Sequence, residues 1–179
     1  MIQVTNHLFL TPIDNQHQKT LMELMKQIYP PPYKHLWVNE DSSWYLEKCF
    51  SKENLITELK EKDSFYSFVI FKQQPIGILR FVYNSQIPDP GNSKGVFLHR
   101  LYLHPDFHGK GIAQNLMGFV EEEAIQNDNH FIWLKAMDTQ MQAIKFYKKL
   151  GFKTIGTERL DFKLMLRDFR GMIVMKKAL

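Results

Sequence analysis

Gly109, Gly111 and Ala113 stand at the head of a run whose apolar residues recur at 112, 116, 119, 120 and 124. That is helical spacing, and it predicts a helix opening near Gly109. The first amides of such a helix have no intrahelical partners and carry the positive end of its dipole. With so little side chain at these positions, nothing stands between those amides and a ligand. The stretch is therefore an anion cradle sized for phosphate. Just before it, residues 96–103 are mostly apolar and run into His104-Pro105, which predicts a strand that stops at the proline.

Two common phosphate binders do not match. A nucleotide P-loop requires GxxxxGK followed by Ser or Thr, which HPDFHGKG lacks. A Rossmann turn requires GxGxxG with an acidic residue about 20 positions on, and only GKG is present. The stretch His108-Gly109-Lys110-Gly111-Ile112-Ala113 instead resembles the acetyl-CoA loop of the GNAT N-acetyltransferases, Q/R-x-x-G-x-G/A. His108 departs from the usual first residue, which alters one side-chain contact and leaves the backbone donors intact. A second stretch, from Gln140 to Phe152, resembles that family's N-x-x-A-x-x-F/L-Y-x-x-x-G-F. Ala143, Phe146, Tyr147, Gly151 and Phe152 fit, and Gln140 replaces Asn with a longer amide. The apolar stretch FIWLKAM lies between the two motifs, where a buried strand belongs. The likeness is close over 94–152 and otherwise follows element order. A narrower likeness, over WYLEKCFSKENLITELKEKDSFYSFVIFKQQPIGILRF and the LHRLYLHPDFHGKGIAQNLM run, is to the PaiA-related polyamine acetyltransferases.

The resemblance implies an α/β fold of GNAT type: a mixed, mostly antiparallel sheet of about six to seven strands with a splayed central pair, and helices on both faces. It implies acetyl-CoA as co-substrate, with no metal. It puts the co-substrate against Leu101, Tyr102, Leu103, His108, Gly109, Lys110, Gly111, Ile112, Ala113, Gln114, Gln140, Phe146, Tyr147 and Lys149. Residues 29–63 would lie over the acceptor. The expected activity is transfer of an acetyl group to the primary amine of a small molecule, polyamine-like or otherwise, by direct attack in a ternary complex. A peptide or protein amine is the alternative acceptor. A domain that binds acetyl-CoA without turnover is the alternative class, kept open by the departures at His108 and Gln140.

Such a transfer needs a polarised carbonyl, a neutral amine and a proton for the departing thiolate. A backbone N–H of the splayed strand, near 101–103, would act on the carbonyl as an oxyanion hole does. The carboxylate base that some members carry on this strand falls at Phe97, so it is missing here. Strict alternation places Phe97, His99, Leu101 and Leu103 on one face and Leu98, Arg100 and Tyr102 on the other. His99 is then the candidate base, since an imidazole titrates near neutrality; a water chain, with His99 merely structural, is the alternative. Tyr147 matches the family position whose hydroxyl points at the sulfur, and a phenol suits a thiolate as its acid.

The elements that must hold these groups follow from patterning. Asp14 can cap a helix over 15–28 whose apolar face is Leu21, Met22, Leu24, Met25 and Ile28. The prolines at 30–32 should end it. Short helices are expected at about 41–49 and 52–61, and a hairpin over 65–71 and 76–83. A loop is expected over 85–94, a helix over 139–150 closed by Gly151, and a last hairpin over 152–160 and 162–175. The chain of 179 residues suits one domain spanning 1–179.

Composition closes off other classes. One Cys precludes an intrachain disulfide, and Cys49 has no inferable catalytic partner. The N-terminal MIQVTNHLFL lacks the features of a signal peptide, and no apolar run is long enough to span a membrane, so a cytoplasmic location is expected. The seven His show no metal-ligand spacing. Net charge is +4, and residues 145–177 hold ten basic and three acidic residues, which suits a polyanionic co-substrate. No nucleic-acid motif accompanies that charge, so neither nucleic acid nor membrane is expected as a partner. The final hairpin could supply an edge for a homodimer.

Overall fold

The computed structural model describes residues 1–87 and 94–179. The centre of the loop expected over 85–94 lies outside the described residues. Eight strands form one sheet: β1 (Ile2–Thr5), β2 (Leu8–Pro12), β3 (Ser64–Phe71), β4 (Gln74–Gln86), β5 (Lys94–Leu103), β6 (Phe131–Met137), β7 (Lys153–Arg159) and β8 (Gly171–Ala178). Their order is β1-β2-β3-β4-β5-β6-β8-β7, and every pairing is antiparallel except β5 with β6. The expected architecture is present, with more strands than the six to seven expected. β1 is the addition: two exposed and two half-buried residues on the sheet edge give no alternation to read.

The helices are α1 (Gln18–Ile28), α2 (Pro30–Tyr33), α3 (Ser43–Phe50), α4 (Lys52–Lys60), α5 (Ile112–Gln126) and α6 (Met141–Lys149). Asp14 caps a 3-10 turn ahead of α1, accepting a bond of 2.8 Å from the Gln16 amide. The five apolar residues expected on the buried face of α1 are all buried. The prolines do not end the helical path outright: they supply the first turn of α2, where a missing N–H costs nothing. Ser51 caps α4. The last hairpin also differs from expectation. Phe162, Met165 and Phe169 leave the sheet and pack with α1 and α3, so β8 starts only at Gly171.

Two cores lie on opposite faces of the sheet. One joins Leu8, Leu10, Leu79, Phe81 and Leu98 to Ile112, Leu116, Met117 and Val120 of α5. The other gathers Leu21, Met25, Ile28, Trp37, Leu46, Phe50 and Leu55 under α1, α3 and α4.

The centre of the sheet parts. β5 and β6 pair only at Val96–Ile132, Phe97–Trp133 and Leu98–Leu134. Beyond that, β5 stays with β4 as far as Leu103, and β6 stays with β8 as far as Met137. Among the described residues, the β6-facing edge of 99–103 has no strand partner. The parting begins at a bulge: the β4–β5 register steps from Arg80–Arg100 to Phe81–Leu98, which leaves His99 as the extra residue. The bulge also breaks the alternation expected along this strand. Leu98, Leu101 and Leu103 share the α5 core, while Arg100 meets α4 and Tyr102 joins the opposite core. His99 does not share a face with Leu101 and Leu103 as strict alternation required; it stacks on Phe97 and bonds Arg80.

Candidate functional site

Two cavities meet at the parted strands. The first, of about 470 Å³, runs along the head of α5 and is lined by Leu101, Tyr102, Leu103, His108, Gly109, Gly111, Ile112, Ala113, Gln114, Gln140, Phe146 and Tyr147, among others. The His108 amide donates to the Pro105 carbonyl and the Asn115 amide to Gly111, but none of the amides of 109–114 has a backbone acceptor among the described residues. Gly109 and Gly111 hold φ of 73° and 74°, left-handed values that turn the chain into the helix. A Cβ on either would project into open space with no atom within 4 Å. A row of free amides over an open cradle fits a diphosphate, because each bond to a phosphate oxygen is charge-assisted. Of the fourteen residues expected around the co-substrate, only Lys110 and Lys149 line neither cavity. Lys110 rests over the Phe107 ring at 4.8 Å. The His108 imidazole turns back, its Nε2 3.0 Å from the Leu103 carbonyl, so it closes the turn after β5.

The second cavity, of about 600 Å³, opens on the other side of the gap. Tyr29, Tyr33, Tyr45 and Tyr102 form one wall: the Tyr29 ring stacks on Tyr33 at 4.8 Å and on Tyr45 at 4.5 Å, and Tyr102 meets both Tyr29 and Tyr33 edge-on at 6.0 Å. The Trp37 indole donates to the Tyr29 hydroxyl at 3.2 Å, and the Tyr45 and Tyr102 hydroxyls lie 3.3 Å apart. Leu36 and Met165, which line this cavity, belong to two segments that meet as a partial roof. The Val38 amide donates to Leu164 at 3.0 Å and the Leu166 amide to Leu36 at 2.9 Å, forming a bridge between Trp37 and Met165.

Tyr33, Leu101, Tyr102, Gln140, Ala143 and Tyr147 line both cavities. The Tyr147 hydroxyl has no hydrogen-bond partner among the described residues. Burial, and then the neighbouring Tyr33, push its proton affinity above the ordinary phenol range. It therefore keeps its proton throughout the neutral range.

Beneath the second cavity lies a buried ionic network. Glu58 of α4 accepts from Arg100 Nη1 at 2.6 Å and lies 3.7 Å from Arg80 Nε. Arg80 also donates to Glu61 and to His99 Nδ1. Since Nδ1 accepts, the ring proton of His99 sits on Nε2. Burial first, then the charges of Arg100, Arg80 and Lys135, push the His99 proton affinity down to about 2.

The residues of the expected cradle and Tyr147 do line these cavities, whereas sequence reasoning missed the tyrosine wall, the roof and the network. Tyr29, Tyr33 and Tyr45 come from a segment with no motif; the resemblance put 29–63 over the acceptor, but nothing local singled out these three rings. Glu58 sat unremarked on a short helix because its partners are 22 and 42 positions away.

Comparison with known proteins follows the same lines. Residues 19–152 match the model of the acetyltransferase (GNAT) family. An uncharacterised N-acetyltransferase of Lactobacillus delbrueckii subsp. lactis is 26% identical over 141 residues, covering 78% of this chain and 79% of that one. Among solved structures, the PaiA N-acetyltransferase of Thermoplasma acidophilum in complex with coenzyme A superposes with a TM-score of 0.73 at 19% identity, over 96% of this chain and 99% of that one. The acetyltransferase of Salmonella typhimurium that modifies the N-terminal serine of ribosomal protein L7/L12 gives 0.70 at 15% identity, over 99% and 98%. Likeness at such identities is likeness of fold.

Proposed function

Because the chain belongs to the GNAT acetyltransferase family, it is an acetyl-CoA-dependent N-acetyltransferase, and we propose that its acceptor is the primary amine of a small molecule held in the roofed cavity. The observation that carries this reading is the meeting of two cavities at a gap in the sheet, with Tyr147 lining both. A cavity of about 600 Å³ has the size of a small-molecule site, which supports a small acceptor.

When bound, acetyl-CoA supplies an activated acyl group and a thiolate leaving group. The free amides of 109–114 grip its diphosphate, and the unpaired edge of 99–103 offers backbone donors to the pantetheine arm and the acyl oxygen. Tyr147 stands as the proton donor to the departing sulfur. Burial raises the proton affinity of a thiolate as it does that of a phenol, so the two stay matched.

His99 is a poor base in this arrangement. Its Nδ1 lone pair is committed to Arg80, and adjacent cations oppose a second ring proton. The same surroundings act on the acceptor. An ammonium that leaves water for a cavity ringed by tyrosines and backed by Arg80, Arg100 and Lys135 is destabilised and gives its proton to solvent. His99 is then a positioning residue: with Arg80 it holds the bulge from which the strands part.

The test is thiol release from acetyl-CoA with a panel of small amines and N-terminal peptides. Release with small amines and none with peptides is expected; the reverse would overturn the small-acceptor reading. Tyr147→Phe should lower kcat by roughly a hundredfold with acetyl-CoA affinity unchanged. An unaltered kcat would remove Tyr147 from the mechanism.

A further inference from the structure

The charges around the acceptor cavity do not balance, and the imbalance selects what enters. Two carboxylates line it, Glu58 and Glu158. Glu58 is held between Arg100 and Arg80, and Glu158 pairs with Lys135 at 2.7 Å. Glu61, next to the network, is bound by Arg80. Among the described residues that line the cavity, no acid is left over to receive a second ammonium. Lys48 also lines the cavity, and among the described residues no carboxylate pairs with it. Its Nζ lies 5.5 Å over the Trp44 ring and 5.9 Å over that of Phe162, so two aromatic faces hold the ammonium at the rim. The uncompensated charge is therefore positive.

A polyamine brings one or more extra ammonium groups and needs free carboxylates or carbonyls to hold them. This cavity offers paired acids and a free lysine. We propose, building on the small-amine reading above, that the acceptor is an amine that also carries a carboxylate. Its acid group is received by Lys48 and its apolar body lies against Tyr29, Tyr33 and Tyr45. Discrimination is by repulsion as well as attraction: a polycation meets Lys48 with nothing to offset it.

A matched set tests this: an aromatic amino acid, its carboxamide, the corresponding decarboxylated amine, and spermidine, each assayed by thiol release at saturating acetyl-CoA. The amino acid should exceed its carboxamide in kcat/KM by about tenfold, with the difference in KM. Lys48→Met should abolish that preference, and Lys48→Glu should invert it by about tenfold, each with acetyl-CoA affinity unchanged. Equal rates for acid and carboxamide, preference for spermidine, or a preference untouched by Lys48→Glu would overturn the carboxylate proposal and leave the small-amine reading standing. Release with none of the four, together with release by N-terminal peptides, would overturn both.

Discussion

His99 reports the electrostatics of the site through the stability of the whole chain. Its proton affinity falls from an ordinary 6.5 to about 2 on folding. Between those values the unfolded chain binds one proton more than the native one, so this residue makes stability rise with pH across that window. The effect is absent above the unfolded value and grows as pH falls through it. From pH 7 to pH 5 it should remove about 2 kcal/mol. His99→Gln retains an acceptor for Arg80 and has no ring to charge. Thermal melts across this range should fall by roughly 4–8 °C more in the wild type than in the variant. Parallel melting curves would mean that His99 is not held neutral against its arginine neighbours. The sequence showed this imidazole as a base because its type and place on the strand suited one. What it concealed was Arg80, 19 positions away, which reaches His99 only because β4 pairs with β5.

At the scale of elements, α5 and the strand before it were the most legible part of the chain. The strand's apolar run, the small residues and the helical spacing are all local signals; the helix spans Ile112–Gln126, opening three residues after the Gly109 expected because Gly109 and Gly111 are left-handed and belong to the turn. The bulge was not legible. One extra residue leaves the apolar pattern of β5 intact and changes only its phase, so alternation counted past His99 assigns the wrong faces. Glycine at the head of α5 can be separated from glycine within it. Gly111 is left-handed at φ 74°, and Gly111→Ala should cost about 1–2 kcal/mol of stability. It should also weaken acetyl-CoA and free CoA alike, by about tenfold, because its methyl group projects into the cradle and lowers the worth of several charge-assisted bonds. Gly118 lies inside the same helix with room for a Cβ. Gly118→Ala should raise stability by up to about 1 kcal/mol and leave both affinities unchanged. Calorimetry of the two variants with each ligand checks the contrast. Loss of affinity in both would point to a general effect on α5 rather than to the cradle.

The whole molecule is two sheet halves that share little pairing. β1 to β5 carry α1 to α4; β6 to β8 carry α6; three parallel residue pairs and the core beneath α5 join them. Opposite that joint, the halves touch again through the roof, where segment 36–38 of the first half meets segment 164–166 of the second. The roof was invisible in sequence because neither segment is a strand and neither pairs within its own half. On the proposed function the labour is divided: the α5 side holds the co-substrate, and the clasp bounds the acceptor cavity through Leu36 and Met165. Leu166 allows the clasp to be cut cleanly. Its φ of −59° is one that proline adopts, so Leu166→Pro removes the donor to the Leu36 carbonyl with little backbone strain. Losing one such bond should cost about 1 kcal/mol, or roughly 2–4 °C in Tm. The acceptor KM should rise by about fivefold, the ratio expected when that 1 kcal/mol acts wholly on acceptor binding. Acetyl-CoA affinity, which we propose is set by amides on the far side of the gap, should stay as it is. An equal loss for both substrates would mean that the clasp holds the parted strands themselves in place, and that the two cavities are one mechanical unit.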